Sequence, residues 1–274
     1  MMGSAVHQGF LGLDEALALR GIDGPTVGEE LTRIGYAGSA PTGTFRAHSY
    51  LELHVEQGPV LEQEGILIGA VEGVQGISWR EYTIEGTANH AGTTPMRMRA
   101  DAGYVAAAIA VEARRIAQEM GGDQVATTGF LAFKPNLVNV IPGRSVVTVD
   151  LRNTDEALLQ AAERRLSDFV QRTARSEGVE VSQRVLARFE PVAFDPAMVD
   201  LVARTAGDLG FSVRRMPSGA GHDAQMFAPN CPTAMIFVPS RDGISHNPAE
   251  YTSPEQIRAG AMVLLRVALE QAMR

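Results

Sequence analysis

The strongest constraint on the fold lies in the middle of the chain, where the hydrophobic period changes in a fixed order. Arg80–Gly86 alternates as a half-buried strand with Tyr82 and Ile84 on one face. Asp101–Met120 then carries helical spacing, with Val105, Ile109, Ala113, Ile116 and Met120 on one stripe. Gln124–Phe133 reads as a strand, and Ser145–Arg152 as a second, with Val147, Val149 and Leu151 opposite Thr148, Asp150 and Arg152. A second helix follows, capped by Asn153 or Thr154, with Leu159, Ala162, Leu166, Phe169 and Val170 on its apolar stripe. Val179–Ala187 is a last strand. The order is β-α-β-β-α-β, a ferredoxin-like split unit, expected over residues 78–190.

The flanks read differently. Residues 1–45 are loop-rich, with one helix expected at Thr26–Gly35. Ser49–Val55 is strand-like, and Gly65–Gly76 is dotted with glycines. Beyond the middle unit, Asp195-Pro196 opens a helix as N-cap and first-turn proline. Phe211–Arg215 is a short strand, Thr233–Val238 a continuous apolar run typical of a buried strand, and Ser253-Pro254-Glu255-Gln256 a capping box. Residues 1–77 and 191–274 are therefore expected to form one α/β domain interrupted by the other.

The chain has 274 residues, 45% hydrophobic and 20% charged, with a formal net charge of -8, which fits a globular protein and argues against a nucleic-acid surface. No stretch is long and apolar enough to span a membrane and the N-terminus does not read as a signal peptide, so a cytoplasmic protein is expected. The one cysteine, Cys231, precedes a buried strand and reads as a packed thiol, not a nucleophile.

Of the six histidines, His7 and His48 have no supporting pattern. His54 alternates with Glu52 and Glu56, which on a strand puts all three on one face. A neutral imidazole beside carboxylates suits zinc or manganese, although an exposed strand face has the same pattern. His90 precedes Ala-Gly-Thr-Thr-Pro and could donate to an oxyanion or bind a carboxylate; a loop histidine that bonds only its own turn is the plainer reading. His222 follows Ser218-Gly-Ala-Gly, whose backbone could approach a ligand. His246, in Ser-His-Asn-Pro, follows the buried strand, where an α/β sheet binds ligands and where a turn would also fit. Arg152 could fork onto a carboxylate or pair with Asp150.

Taken in order, LELHVEQGP (51–59), EGTANHAGTTPM (85–96), NVIPG (139–143), VDLR (149–152), SGAGHDA (218–224) and GISHNPAE (243–250) resemble the N-carbamoyl-L-amino-acid hydrolase and allantoate amidohydrolase family, within the dinuclear-metal aminopeptidase-like hydrolases. The resemblance runs from about Gly3 to the C-terminus. It implies an α/β catalytic domain with an inserted ferredoxin-like lid that makes a homodimer, and two divalent ions, zinc or manganese. It implies His54 and His246 as metal ligands, and Gln57, His90, Asn139, Arg152 and the Gly221 backbone as substrate-binding positions. Arg152 would clamp the substrate carboxylate. His90 would also be catalytic, stabilising the oxyanion, and with Asn139 would reach the partner's site. The implied reaction hydrolyses a ureido or carbamoyl C–N bond of a small carboxylate, allantoate or an N-carbamoyl-L-amino acid, releasing ammonia and carbon dioxide.

The family's His-x-Asp motif and Glu-Glu pair, which supply further ligands and the general base, have no counterpart here. Glu29-Glu30 lies inside a helix and matches neither. The expectation is a partial catalytic domain, inactive alone; a non-catalytic lid-mediated dimer and one half of a split enzyme are the alternatives.

Overall fold

A computed structural model describes residues 1–21 and 24–273. In chain order the elements are α1 (Met2–His7), α2 (Leu13–Ala18), α3 (Val27–Arg33), β1 (Tyr50–Val55), α4 (Val60–Glu64), β2 (Ile68–Val74), β3 (Gly76–Glu85), β4 (Asn89–His90), α5 (Ala102–Met120), β5 (Val125–Lys134), β6 (Val140–Ile141) and β7 (Arg144–Asn153). They continue with α6 (Glu156–Glu177), β8 (Glu180–Phe189), β9 (Val192–Ala193), α7 (Pro196–Asp208), β10 (Val213–Ser218), α8 (Ala224–Phe227), β11 (Thr233–Val238) and α9 (Pro254–Ala272). The chain divides into two compact units, Met1–Val74 with Val192–Arg274, and Gln75–Pro191.

The first unit is built on a mixed sheet in the order β1-β11-β2-β10, with β9 paired to the end of β2. β1 runs parallel to β11 and β10 parallel to β2, while β11 and β2 are antiparallel. β11 is buried along its whole length and β2 at all but Glu72, as expected of apolar strands in the middle of a covered sheet. The helix α9 starts at the Ser253–Gln256 capping box and packs on β1 and β11. It comes so close that a Cβ on Gly260 would sit 2.6 Å from Leu53 and 2.7 Å from Val238. β1 is half-buried throughout and ends the strand order.

The second unit carries an antiparallel sheet in the order β5-β7-β3-β8. With α5 and α6 inserted between its strands, this is the ferredoxin-like arrangement. Tyr82, Ile84, Val147, Val149 and Leu151 from the strands meet Val105, Ile109, Ile116, Leu159 and Leu166 from the helices in one core. A short ribbon, β4 with β6, extends it.

Several elements differ from the sequence expectation. The segment before β1 holds α1 and α2 besides α3, each too short to show an apolar period. Gly65–Gly76 contains the central strand β2. Gly73 is required there, because a Cβ would run into the Val192 carbonyl. The strand expected at Phe211–Arg215 lies at Val213–Ser218. The cap of α6 is Asp155, whose carboxylate accepts the Leu158 N–H at 2.9 Å; Asn153 instead accepts the Asp155 N–H. Glu56 does not share the His54 face: it turns to accept the Val60 and Leu61 N–H groups at 2.9 and 2.8 Å, capping α4.

On the second unit, Glu163 of α6 lies between Arg80 (3.0 Å) and Arg188 (2.9 Å). Burial pushes its carboxyl up, but Ser78 and the two guanidinium groups outweigh burial and hold it below the usual range. A carboxylate with a lowered folded pKa stabilises above its unfolded value and loses that contribution as pH falls through the folded one. Glu163→Gln is therefore expected to lose about 1–3 kcal/mol at neutral pH. The gap to wild type should close as the medium is acidified below about pH 4, in urea melts run across that range. An equal gap at all pH values would contradict the charge argument.

Candidate functional site

The sequence-predicted residues fall on both units. On the first, Glu52 and His54 are alternate residues of β1 and share one face. The loop after β10 brings in His222. Its ring meets that of His54 edge-on at 4.6 Å between centroids, and both lie against Phe237 of β11. One ligand-type atom from each of Glu52, His54 and His222 lies within 4.8 Å of the others. This grouping of two imidazoles and a carboxylate matches the donor chemistry that zinc and manganese take from proteins.

His54 Nδ1 is 2.8 Å from the Val55 carbonyl oxygen. A carbonyl can only accept, so Nδ1 carries the proton and Nε2 presents a lone pair, the form a metal ligand needs. The Glu52 carboxylate accepts the Ala224 N–H at 2.9 Å and the Tyr50 hydroxyl at 3.3 Å, and its other oxygen is 3.4 Å from His222 Nδ1. Burial raises the Glu52 carboxyl, but His222, the Ala224 amide and His54 more than offset it and hold the group lowered and ionised. Tyr50 is raised, first by burial and then by the charges of Glu52 and Asp223. His222 Nε2 lies 2.8 Å from Ser218 Oγ. The sequence Ser218–His222–Glu52 resembles a nucleophilic relay, yet Ser218 is 1% exposed and its Oγ is engaged with the Ala220 backbone. That leaves it no access to a substrate carbonyl.

His246 is not in this trio. It follows β11, has φ 54°, and its N–H donates to Glu250 at 3.0 Å. Its Nε2 is 3.2 Å from the Gln57 side-chain nitrogen, which also donates to Ser245 Oγ at 2.9 Å. Gln57, at φ 59°, follows β1. Two non-glycine residues in the left-handed region are thus joined by their side chains beyond two parallel neighbouring strands, the place where an open α/β sheet offers a crevice to ligands. Gly221 lies between β10 and α8, next to His222. Glu29 and Glu30 are occupied structurally, Glu29 in a capping box with Thr26 and Glu30 with Arg33.

On the second unit, His90 stands on β4 opposite Val140 of β6, and the Asn139 carbonyl accepts the Ala91 N–H at 2.9 Å. The ribbon thus brings His90 and Asn139 together. His90 Nδ1 accepts the Gly92 and Thr93 N–H groups at 3.1 and 3.2 Å. This is the self-bonded turn weighed in the sequence, and it forces the proton onto the exposed Nε2, making that atom a donor. Arg152 forks onto Asp150, its Nη2 2.7 Å from Oδ2, and stacks over Trp79 at 5.8 Å. In β7 it pairs with Ile77, whereas the β4–β6 ribbon adjoins the Arg144 end, where Glu85 pairs with Arg144. Eight residues of strand separate the two ends, roughly 26 Å at ~3.3 Å per residue.

Glu52 and His222 were not proposed as ligands from the sequence. The alternation of Glu52 with His54 was visible; the partnership with His222 joins positions far apart in the chain and has no local signal.

The family model of Peptidase family M20/M25/M40 matches residues 25–270. The chain belongs to this family. It is 41% identical over 272 residues to an N-carbamoyl-L-amino-acid amidohydrolase of Rhizobium meliloti, covering 99% of this chain and 65% of that protein. It is 39% identical over 216 residues to the allantoate amidohydrolase of Escherichia coli, covering 79% of this chain and 53% of that protein. Among solved structures, an amidase of the hydantoinase/carbamoylase family from Burkholderia multivorans superposes with a TM-score of 0.94 at 44% identity, covering all of this chain and 66% of the other. The chain thus has an α/β aminopeptidase-like fold and spans about two thirds of the length of these relatives, or less.

The two histidine tautomers are directly observable. Long-range proton–nitrogen correlation spectra of the metal-free protein at pH 8 should show His54 protonated at Nδ1 and His90 at Nε2. The reverse assignment for either ring would contradict the backbone contacts that define it.

Proposed function

We propose that the protein carrying this chain is a metal-dependent amidohydrolase that cleaves a carbamoyl or ureido C–N bond of a small carboxylate. Hydrolysis of an N-carbamoyl-L-amino acid consumes one water and releases the amino acid, ammonia and carbon dioxide; allantoate offers the same two groups. The observation that carries this reading is the pair of opposed tautomers: His54 offers a lone pair at Nε2 and His90 a proton at Nε2.

In this reading His54 and His246 would hold metal, zinc or manganese, in a two-ion site. Bound metal would supply Lewis acidity and a water of lowered pKa. Gln57, already bonded to His246, would orient the amide end of the substrate, with the Gly221 backbone beside it. His90 would donate from Nε2 to the oxygen on which negative charge develops. Arg152, fixed by Asp150 and Trp79, would take the substrate carboxylate bidentately. Asn139 would bond the same end of the substrate.

His90 and Arg152 of one chain stand too far apart along β7 to touch one small substrate. A homodimer resolves this if His90 and Asn139 serve the partner's site. The second unit has a surface for it: β5 ends the strand order and exposes Val125, Phe130, Leu131 and Phe133, an unprotected apolar edge of the kind that pairs with another copy.

Mixed dimers test the function and the shared site together, with ammonia release from allantoate and N-carbamoyl-L-amino acids as readout. His90→Ala and Arg152→Ala should each lower kcat/KM by about two orders of magnitude or more. Mixing the two should restore up to about a quarter of wild-type activity per molecule, because half the dimers are mixed and each has one intact site. Absence of restoration would refute the shared site. Full activity in either single variant would refute the role given to that residue. A non-hydrolysing wild-type protein with bound metal would refute the substrate class.

A further inference from the structure

We propose that the crevice between α6 and β8 on the second unit binds a small organic acid with an apolar body, taking its carboxylate at Arg175 and a neutral acceptor atom at the Tyr82 hydroxyl. The crevice encloses about 360 Å³, at the low end of the roughly 300–1,000 Å³ span of small-molecule sites. It is lined from this unit alone, and His90, Asn139 and Arg152 take no part in it.

The Tyr82 ring forms the floor. The residue is 1% exposed, and its hydroxyl has no hydrogen-bond partner among the described residues. Buried hydroxyls are nearly always bonded, because leaving one unpaired forfeits its hydration. Arg80 stands two residues along the same face of β3, but it donates to Ser78 at 3.3 Å and pairs with Glu163 at 3.0 Å. A guanidinium has only donors to offer, so it cannot take the phenol's proton. Burial pushes the Tyr82 phenol up, so that proton stays in place at neutral pH. The floor therefore offers one O–H donor that needs an acceptor. The acceptor is neutral, since a charge carried to that depth would lose its hydration.

Val170 and Val181 form the walls above Tyr82, and they suit an apolar body. Gln171, Gln183 and Arg175 stand at the rim, all three exposed. Arg175 lies in the last turn of α6. Among the described residues no carboxylate pairs with it, whereas Glu156 and Glu163 of the same helix are taken up by Arg188 and Arg80. A guanidinium with its fork open takes a carboxylate bidentately. A donor at the floor, apolar walls and a cation at the rim match a keto or ether acid that enters with its uncharged end first.

The probe is 4-acetylbenzoate. It is compared with 4-ethylbenzoate, which lacks the acceptor, and 4-acetylbenzamide, which lacks the charge. Each is titrated into the full chain, and binding is read from the Val170 and Val181 methyl shifts in proton–carbon spectra. The probe should bind saturably and about fivefold or more tighter than either analogue. Tyr82→Phe should cancel its advantage over 4-ethylbenzoate, and Arg175→Gln its advantage over 4-acetylbenzamide. Arg172→Gln, exposed on the same helix but outside the crevice, should change neither. Thermal melts of the ligand-free proteins give a second readout. Tyr82→Phe should melt no lower than wild type, because its hydroxyl has no bond to lose. A lower melt would show the hydroxyl bonded inside the protein and overturn the proposal. So would equal affinity of wild type for all three compounds, or no saturation at millimolar probe, which leaves water as the occupant.

Discussion

The chemistry of the first unit depends on which nitrogen of the His54 ring carries its proton. One hydrogen bond, from Nδ1 to the carbonyl of the next residue, decides it. That bond requires β1 to end where it does, with Val55 paired to Val238 at the end of a parallel neighbour. The pairing in turn requires α9 to lie flat across both strands, which the absence of a side chain at Gly260 allows. Backbone geometry, packing and proton position form one chain of dependence. A change of register on β1 would move His54 and Glu52 to the other face of the sheet together.

The second unit solves a different problem. Its long β7 strand holds Arg152 at one end while the ribbon with His90 and Asn139 adjoins the other. Under the proposed function, that length is the reason His90 and Arg152 of one chain are assigned to different sites. The ferredoxin-like core packs behind both ends, and the outer strand β5 exposes apolar side chains. The same turn that makes His90 look like an ordinary loop histidine also fixes it as a donor.

Much of this was legible in the sequence because the responsible signals are local. β11 occupies the apolar run Thr233–Val238, and the Ser253 capping box opens α9 where its residues said it would. The βαββαβ order rests on helices and strands of ten residues or more, long enough for their periods to show. β2 was hidden because the glycines that let β9 and β11 approach it also erase its alternation. Glu56 was misplaced because a strand pattern cannot reveal that the chain turns at Gln57 to begin α4. The Glu52–His222 contact and the Gln57–His246 contact bridge distant segments, so only the folded sheet brings them together. The six ordered motifs supplied the family; they carried no information on which acid stands beside which ring.

Anomalous diffraction at the zinc edge, from crystals of the protein equilibrated with zinc, tests the central claim most directly. The account predicts a peak bonded at about 2.0–2.1 Å to His54 Nε2. A peak bonded to His54 Nδ1 instead, or no peak beside His54 at all, would contradict it.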